Sequence, residues 1–452
     1  MTGVALLLLL ATLAGYGALW GLRGWEYWTD VLRLAGLACL LGTALLGVAL
    51  AWLLSAEGSA SASRVAALAL AVAAAGGAVG VARRRPRPAL RRLEHPREPL
   101  LWAALACAAV VAVQLQAYLR LAHTQPLAAW DAWAFWTPKA MLIFYDRGLD
   151  PEYFPTFAGP SYPLVVPALK GAAFHLEGAP DVVAIHTLFA ALAAAFVFAV
   201  VGLLRPRLPL VLLWPFAALL VVLPEFTRRA LHPQADLTLD YFFVLAALAL
   251  GLWIVEREAW LLPLAAIFLA AAANTKREGQ LLAVCLLVAA AAATWRGRRY
   301  AWPRLAAVAA VGVASLLPWW AWRARHGVEE FTPGLGLAGY WEHRDRAWRG
   351  FGLAVELLFS WELWLVAAPV GIAAALLLAL VRPSRLVTLY LGTTVLALLG
   401  FTWSIWGFTF MQIDPGAGSS PMPRLVGSLV LLSLAFAPLM LWRLLDGGLR
   451  RT

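Results

Sequence analysis

The sequence predicts an all-α fold, a polytopic membrane helical bundle of about thirteen transmembrane helices with juxtamembrane helices on the outer side. Three observations predict it. Of 452 residues, 62% are hydrophobic and 13% charged, where soluble domains run near ~25% charged. Apolar runs of about 20 residues, the length that crosses a bilayer core, recur along the whole chain. The charged residues fall between those runs. Together these exclude a soluble globular enzyme and a disordered chain. The net charge of +11 would suggest nucleic acid in a soluble protein, but here it sits in short connections. Membrane topology explains it better, and no nucleic-acid partner is expected.

The runs lie at roughly 3–20, 31–54, 64–82, 100–119, 182–204, 208–223, 239–255, 259–273, 280–294, 304–321, 363–381, 386–405 and 425–445. The runs 259–273 and 280–294 are the shortest, so tilting, extension by flanking residues or re-entry is expected there. The first run has no basic residue before it and reads as a retained helix rather than a signal peptide. Residues 1–99 form an N-terminal three-helix membrane block with a basic loop, and 100–452 a second membrane module. Cys39, Cys107 and Cys285 all fall in apolar runs, so no disulfide framework is readable. Asn274 is followed by Thr275-Lys276, which is no glycosylation acceptor. The 36 basic residues include three Lys, an Arg bias that fits a GC-rich bacterial genome.

Orientation follows from the basic loops. Arg83, Arg84, Arg85, Arg87, Arg91, Arg92 and Arg97 mark 83–97 as cytoplasmic. Strict alternation then puts Arg205/Arg207, Arg296/Arg298/Arg299, Arg382/Arg385 and Arg450/Arg451 on the same side. Cytoplasmic segments hold about 21 basic and 7 acidic residues, and outer ones about 15 and 18. The expected location is the cell inner (plasma) membrane, N-terminus outside and C-terminus inside. The long segments 120–181, 224–238, 322–362 and 406–424 all face outward, as do Lys139, Lys170 and Lys276. Connecting loops are usually ~2–8 residues, so the work is expected on that face. No internal repeat, phosphate loop, zinc-ligand spacing or Gly-x-Ser-x-Gly elbow is present.

Several constellations carry chemistry. In Trp130-Asp131-Ala132-Trp133-Ala134-Phe135-Trp136-Thr137-Pro138-Lys139, Thr137 and Pro138 read as an N-cap and first helical position. Asp131 then sits at membrane depth among Trp residues. It is either a general base or a cap of its own loop. Lys139 is either a phosphate ligand or a snorkelling cation. Ser161-Tyr162-Pro163-Leu164 is a rigid turn, shaping a cleft wall or re-entering the membrane. In 225–240, Arg228, Arg229 and His232 are candidates to hold a phosphate, and Asp236 and Asp240 share a helix face. The alternative is that these acids pair with the two arginines. The turn Asn274-Thr275-Lys276-Arg277-Glu278-Gly279 is either a lipid-phosphate site or a plain tight turn. Loop 322–362 combines Arg323, Arg325, His326, Glu329, Glu330, Glu342, His343, Arg344, Asp345, Arg346 and Arg349 with many Trp. That pattern suits sugar rings or an interfacial aromatic belt. Arg424 enters the last run and either snorkels or faces a cavity.

Taken in order, these segments resemble the C-type (GT-C) membrane glycosyltransferases, which include protein O-mannosyltransferases and lipid A aminoarabinose transferases. The resemblance covers roughly 100–425. Trp130-Asp131 stands where that family carries its catalytic acid, although Ala132 replaces the second acid many members have. Tyr162-Pro163-Leu164 is similar to the family's Tyr-Pro-Pro-Leu-like turn, and Ala235-Asp236-Leu237 and Thr275-Lys276-Arg277-Glu278-Gly279 resemble segments of bacterial members. The resemblance implies a sugar donor on a polyprenyl phosphate and a glycan, lipid or protein acceptor at the outer face. It implies Asp131 as catalytic, and Lys139, Arg228, Arg229, Lys276 and Arg424 as phosphate-binding. Trp130, Tyr162, His232, Asp236 and Glu278 would bind substrate. No cofactor is implied, and a divalent metal stays open. The alternatives are an O-antigen polymerase or ligase-like enzyme, a lipid-linked sugar transporter or flippase, and a structural membrane subunit.

Overall fold

The structure is a computed structural model that describes residues 2–90, 100–329, 337–407 and 422–449. Expectations resting on Arg91, Arg92, Arg97, Glu330, the loop residues 408–421, Arg450 and Arg451 lie outside the described residues. The described residues form twenty α-helices and no strand. Nine of these helices are long and apolar enough to cross a membrane: Thr2–Leu22, Ala35–Ser55, Ala62–Ala82, Leu101–Leu121, Val182–Leu204, Ala235–Glu256, Arg298–Arg325 with the turn before it, Arg385–Gly407 and Met422–Leu449. Leu210–Val222 and Pro224–Ala230 make a tenth candidate if the 66° bend between them lies within one span. The chain is therefore a polytopic helical membrane protein. The shorter runs are also helical, as Leu261–Ala273, Arg277–Ala293 and Ala367–Val381.

The bend at 223–224 has a local cause. Leu223 precedes proline and adopts an extended backbone, φ −58° and ψ 126°. Pro224 then opens the next helix, where its missing N–H costs nothing. That short helix turns Arg228 and Arg229 out of the direction of the preceding span. Prolines also stand inside other helices, at Pro215, Pro303, Pro318 and Pro438.

Helix Ala235–Glu256 is the core. Every residue from Ala235 to Ile254 is buried, as expected of a helix that is apolar all round and enclosed by others. The first and second long helices pack by close backbone approach. A Cβ on Gly42 would collide with the carbonyl of Ala11, and one on Gly15 with that of Ala38. Small residues of this kind supply the packing that hydrophobicity cannot supply within lipid. The second helix also lies along Val182–Leu204, so the N-terminal block is continuous with the rest of the bundle.

The two ends of the bundle differ. At one end Arg85 bonds the Leu22 carbonyl, Arg33 that of Gly202, Arg207 the Glu256 carboxylate, and Arg257 stacks on Tyr300. The described basic connections thus gather there. At the other end Gly3 meets Glu177, Ala60 bonds Arg147, and Arg325 pairs with Glu57. Asp131, Lys139, Arg228, Arg229, Asp236, Asp240, Lys276, Glu278 and Arg424 belong to this second end.

One local expectation changes. Thr137 does not cap a helix. A π-helical turn over Asp131–Trp136 runs directly into Thr137–Tyr145, with Pro138 in its first turn. The buried Thr137 hydroxyl instead accepts from Lys170 Nζ at 3.2 Å. A lone buried ammonium needs an acceptor more than this already continuous helix needs a cap.

Candidate functional site

Three helices begin at one place. Ala235, Arg277 and Met422 each open a helix, and the first turns converge. Unpaired N–H groups give each of these ends a partial positive charge, so acidic side chains are favoured there. Asp236 and Asp240 lie one turn apart on the first of them. Arg424 and Ser428 have the same spacing on the last and face them. Arg424 Nη1 lies 3.5 Å from Asp236 Oδ2, and Ser428 Oγ donates to Asp240 Oδ1. Two i,i+4 pairs on facing helices interlock.

Lys276 completes the cluster from the tight turn before Arg277–Ala293. Its Nζ is 2.8 Å from Asp236 Oδ1 and 3.1 Å from Glu278 Oε1. Burial works against the Lys276 ammonium, but Asp236 and Glu278 outweigh it and hold its pKa above the ordinary value. It stays charged. The turn is tight because Gly279 allows it, since a Cβ there would strike the Ala272 carbonyl and Leu239. Deeper in the bundle, Arg229 Nη2 donates to Asp240 Oδ2 at 2.6 Å, with both side chains almost fully buried.

Asp131 reaches this cluster from the π-helical turn. Its Oδ2 accepts from Arg424 Nη1, a residue 293 positions away, and both side chains remain 20% exposed. The exposed Trp130 and Trp133 flank it. Asp131, Asp236, Lys276, Glu278 and Arg424 therefore form one connected ionic network, with the separate pair Arg229–Asp240 one helical turn from Asp236. A crevice of about 200 Å³ opens among Asp236, Asp240, Lys276, Glu278, Phe401 and Arg424. Glu278 Oε2 and Asp236 Oδ2 accept no hydrogen bond there, so acceptor capacity is left over at its wall. Among the described residues, no three His, Cys, Asp or Glu side chains converge as a metal ion would require.

The remaining candidates divide. Tyr162 borders the cluster: Arg277 stacks on its ring at 5.3 Å, and burial followed by the Glu278 charge pushes its phenol up. Arg277 also donates to Ser161 Oγ. Lys139 lies apart. Its Nζ is buried, donates to the Gly159 carbonyl at 2.6 Å, and sits 3.9 Å from the centre of the Phe135 ring with Trp136 and Phe154 around it. Burial holds its pKa well below the ordinary range. It is neither snorkelling nor at the crevice; it ties the Asp131 turn to the loop before Tyr162. Arg228 is half-exposed and chelated by Glu225 at 2.5 and 2.6 Å, while His232 Nδ1 donates to the Arg228 carbonyl at 2.6 Å. Both stand outside the cluster. So does Arg344, whose guanidinium stacks on Trp341.

Sequence reasoning paired Asp236 and Asp240 with Arg228 and Arg229 as one alternative. The structure makes half of that pairing, Arg229 with Asp240, and gives Asp236 to Lys276 and Arg424. Ser428 was missed, although the spacing Arg424-x-x-x-Ser428 matches Asp236-x-x-x-Asp240. No family model matches this chain, and no curated protein or solved structure is similar to it.

Proposed function

We propose that the chain is a membrane glycosyltransferase of the GT-C kind, moving a sugar from a polyprenyl-phosphate donor to an acceptor hydroxyl. One observation carries this reading: the Asp131 carboxylate, partly exposed in the first long connection after residue 100, faces Arg424, with Lys276 and Asp236 behind it. Such a transfer needs a base beside cations. Asp131 takes the proton of the acceptor hydroxyl as its oxygen bonds the anomeric carbon. The bond from that carbon to the phosphate oxygen breaks, and the leaving phosphate passes to Arg424 and Lys276. Tyr162, Glu278 and the exposed Trp130 border the space for the sugar. Lys139, Arg228 and His232 are left out of this set, because each is committed elsewhere. A polymerase-like reading would centre on Arg344, which stands off the cluster.

The same reading takes thirteen crossings: nine long helices, the bent pair, the two shorter apolar helices Leu261–Ala273 and Ala367–Val381, and Arg277–Ala293. It puts the basic end in the cytoplasm by the positive-inside rule and the Asp131 cluster at the outer face of a bacterial inner membrane. The test is Asp131→Asn, which keeps size and hydrogen bonding but removes the base. Glycan transfer from a polyprenyl-phosphate sugar should fall by about 10²-fold or more, with insertion and abundance unchanged. Full activity in that variant, or loss in Arg344→Ala alone, removes the assignment.

A further inference from the structure

A second crevice, about 320 Å³, opens at the basic end, away from the Asp131 cluster. It is lined by Arg23, Arg33, Arg207, Leu203, Glu258 and Trp260. Three separate segments supply the guanidinium groups: Arg23 follows the first helix, Arg33 ends the short helix Trp28–Arg33, and Arg207 follows Val182–Leu204. Arg33 and Arg207 are pinned. Arg33 bonds Asp30 at 2.8 Å and the Gly202 carbonyl, and Arg207 bonds Glu256 at 2.6 Å and the Leu203 carbonyl at 2.7 Å. Burial, and then the like charges of Arg23 and Arg207, push the Arg33 guanidinium below its ordinary pKa against the pull of Asp30.

Arg23 is held differently. Asp30 stands 3.7 Å away, the bond to the Gly24 carbonyl is long at 3.4 Å, and the group lies over the Trp260 ring at 5.8 Å. It therefore has donors to spare at the edge of a space that two fixed guanidinium groups line, each paired with a carboxylate. Glu258, the carboxylate lining the crevice, is 44% exposed, stands 3.5 Å from Arg207 and accepts a hydrogen bond from Trp260 Nε1, so an incoming anion has to displace it from the rim. We propose that this crevice binds a phosphate-bearing anion, with Arg23 as the adjustable ligand, Arg33 and Arg207 as the fixed ones, and Trp260 as the apolar wall. A tryptophan beside guanidinium groups at a membrane–water boundary suits a phospholipid headgroup, and a soluble phosphate shares the same polar chemistry. The proposal does not depend on glycosyl transfer.

The test uses the purified full chain, stripped of lipid in detergent and mixed with phosphatidylglycerol, phosphatidylcholine or inorganic phosphate. Native mass spectrometry reads binding, and the thermal unfolding midpoint reads its consequence. Phosphatidylglycerol should bind and raise the midpoint, and phosphatidylcholine should do so far less. Arg23→Gln should weaken binding about tenfold, and Arg23→Lys should retain most of it. If inorganic phosphate alone reproduces the shift, the ligand is soluble; if only the anionic lipid does, it is the headgroup. Trp260→Leu removes the wall and serves as a second variant should Arg23→Gln fail to fold. Equal binding by the wild type and both weakening variants, or no binding of either anion, overturns the proposal.

Discussion

The buried pair Arg229–Asp240 is the most exposed to a quantitative test. Its side chains are 2% and 1% accessible, and the N–O distance is 2.6 Å. Asp240 has one further donor, Ser428 Oγ, while Arg229 Nε and Nη1 have no hydrogen-bond partner. Arg229→Met therefore leaves a buried carboxylate with a single hydroxyl. Breaking such a pair costs about 3–5 kcal/mol, because the remaining charge stays desolvated. Asp240→Leu should cost a similar amount by stranding the guanidinium. The double variant Arg229→Met/Asp240→Leu removes both desolvation penalties and should recover most of the loss, giving a coupling energy of about 2 kcal/mol or more. Unfolding by sodium dodecyl sulfate in mixed micelles at neutral pH measures all four proteins. Single variants within about 1 kcal/mol of wild type, as at an exposed ion pair, would refute the reasoning. So would a double variant whose loss equals the sum of the two singles.

Two further predictions follow from single positions. Burial lowers the Lys170 ammonium from 10.5 to about 7 on a helix that is not one of the candidate spans. The unfolded chain thus binds this proton more tightly than the folded one between those values, so wild-type stability should rise as pH rises from about 7 towards 10.5. Lys170→Met should stabilise the protein on the order of 4 kcal/mol below pH 7, with the gain fading over that window. A gain independent of pH in thermal unfolding curves would contradict the assignment. Gly279→Ala places a methyl group against the Ala272 carbonyl and Leu239. It should cost about 1–3 kcal/mol and displace Lys276 and Glu278, so that the proposed transfer activity falls with the fold retained. Unchanged activity and stability would show that the turn has slack.

What the sequence made readable was whatever depends on local pattern or on lipid as solvent. The apolar runs became helices, and the break before Pro224 follows from the geometry of a residue that precedes proline. Arg85, Arg207 and Arg257 came together at one end, as alternation from a single basic loop requires. The partners of individual charges were much less readable, because each depends on which distant backbone arrives. Lys139 carries no mark in its neighbourhood that it will turn inward to the Gly159 carbonyl. Thr137 looks like a cap until Lys170, on another helix, takes its hydroxyl. The interlocked spacing of Asp236/Asp240 and Arg424/Ser428 was legible in principle, but only to a reading that compared helix starts with one another. The first turn of a lipid-embedded helix is the cheapest place to keep an acid, so acids there invite a search for basic residues at the same step of another helix.

The charge balance of the cluster adds a consequence for the proposed reaction. Arg424 is shared between Asp131 and Asp236, and Lys276 between Asp236 and Glu278. No cation in this set waits unpaired for a ligand. On the proposed reading, a donor phosphate binds only by competing with carboxylates for Arg424 and Lys276. Its strongest competitor position is Arg424, the more accessible of the two. When the phosphate takes that guanidinium, Asp131 loses its ion pair, and its oxygen is freed to accept the proton of the acceptor hydroxyl. Donor binding and activation of the base then become one event. Removing Asp236 should therefore free Arg424 for Asp131 and the phosphate together, while removing Asp131 should tighten donor binding even as it abolishes transfer. Donor affinity in Asp131→Asn, measured apart from turnover, separates this competition from a site in which base and cations act independently, since the latter leaves the affinity unchanged.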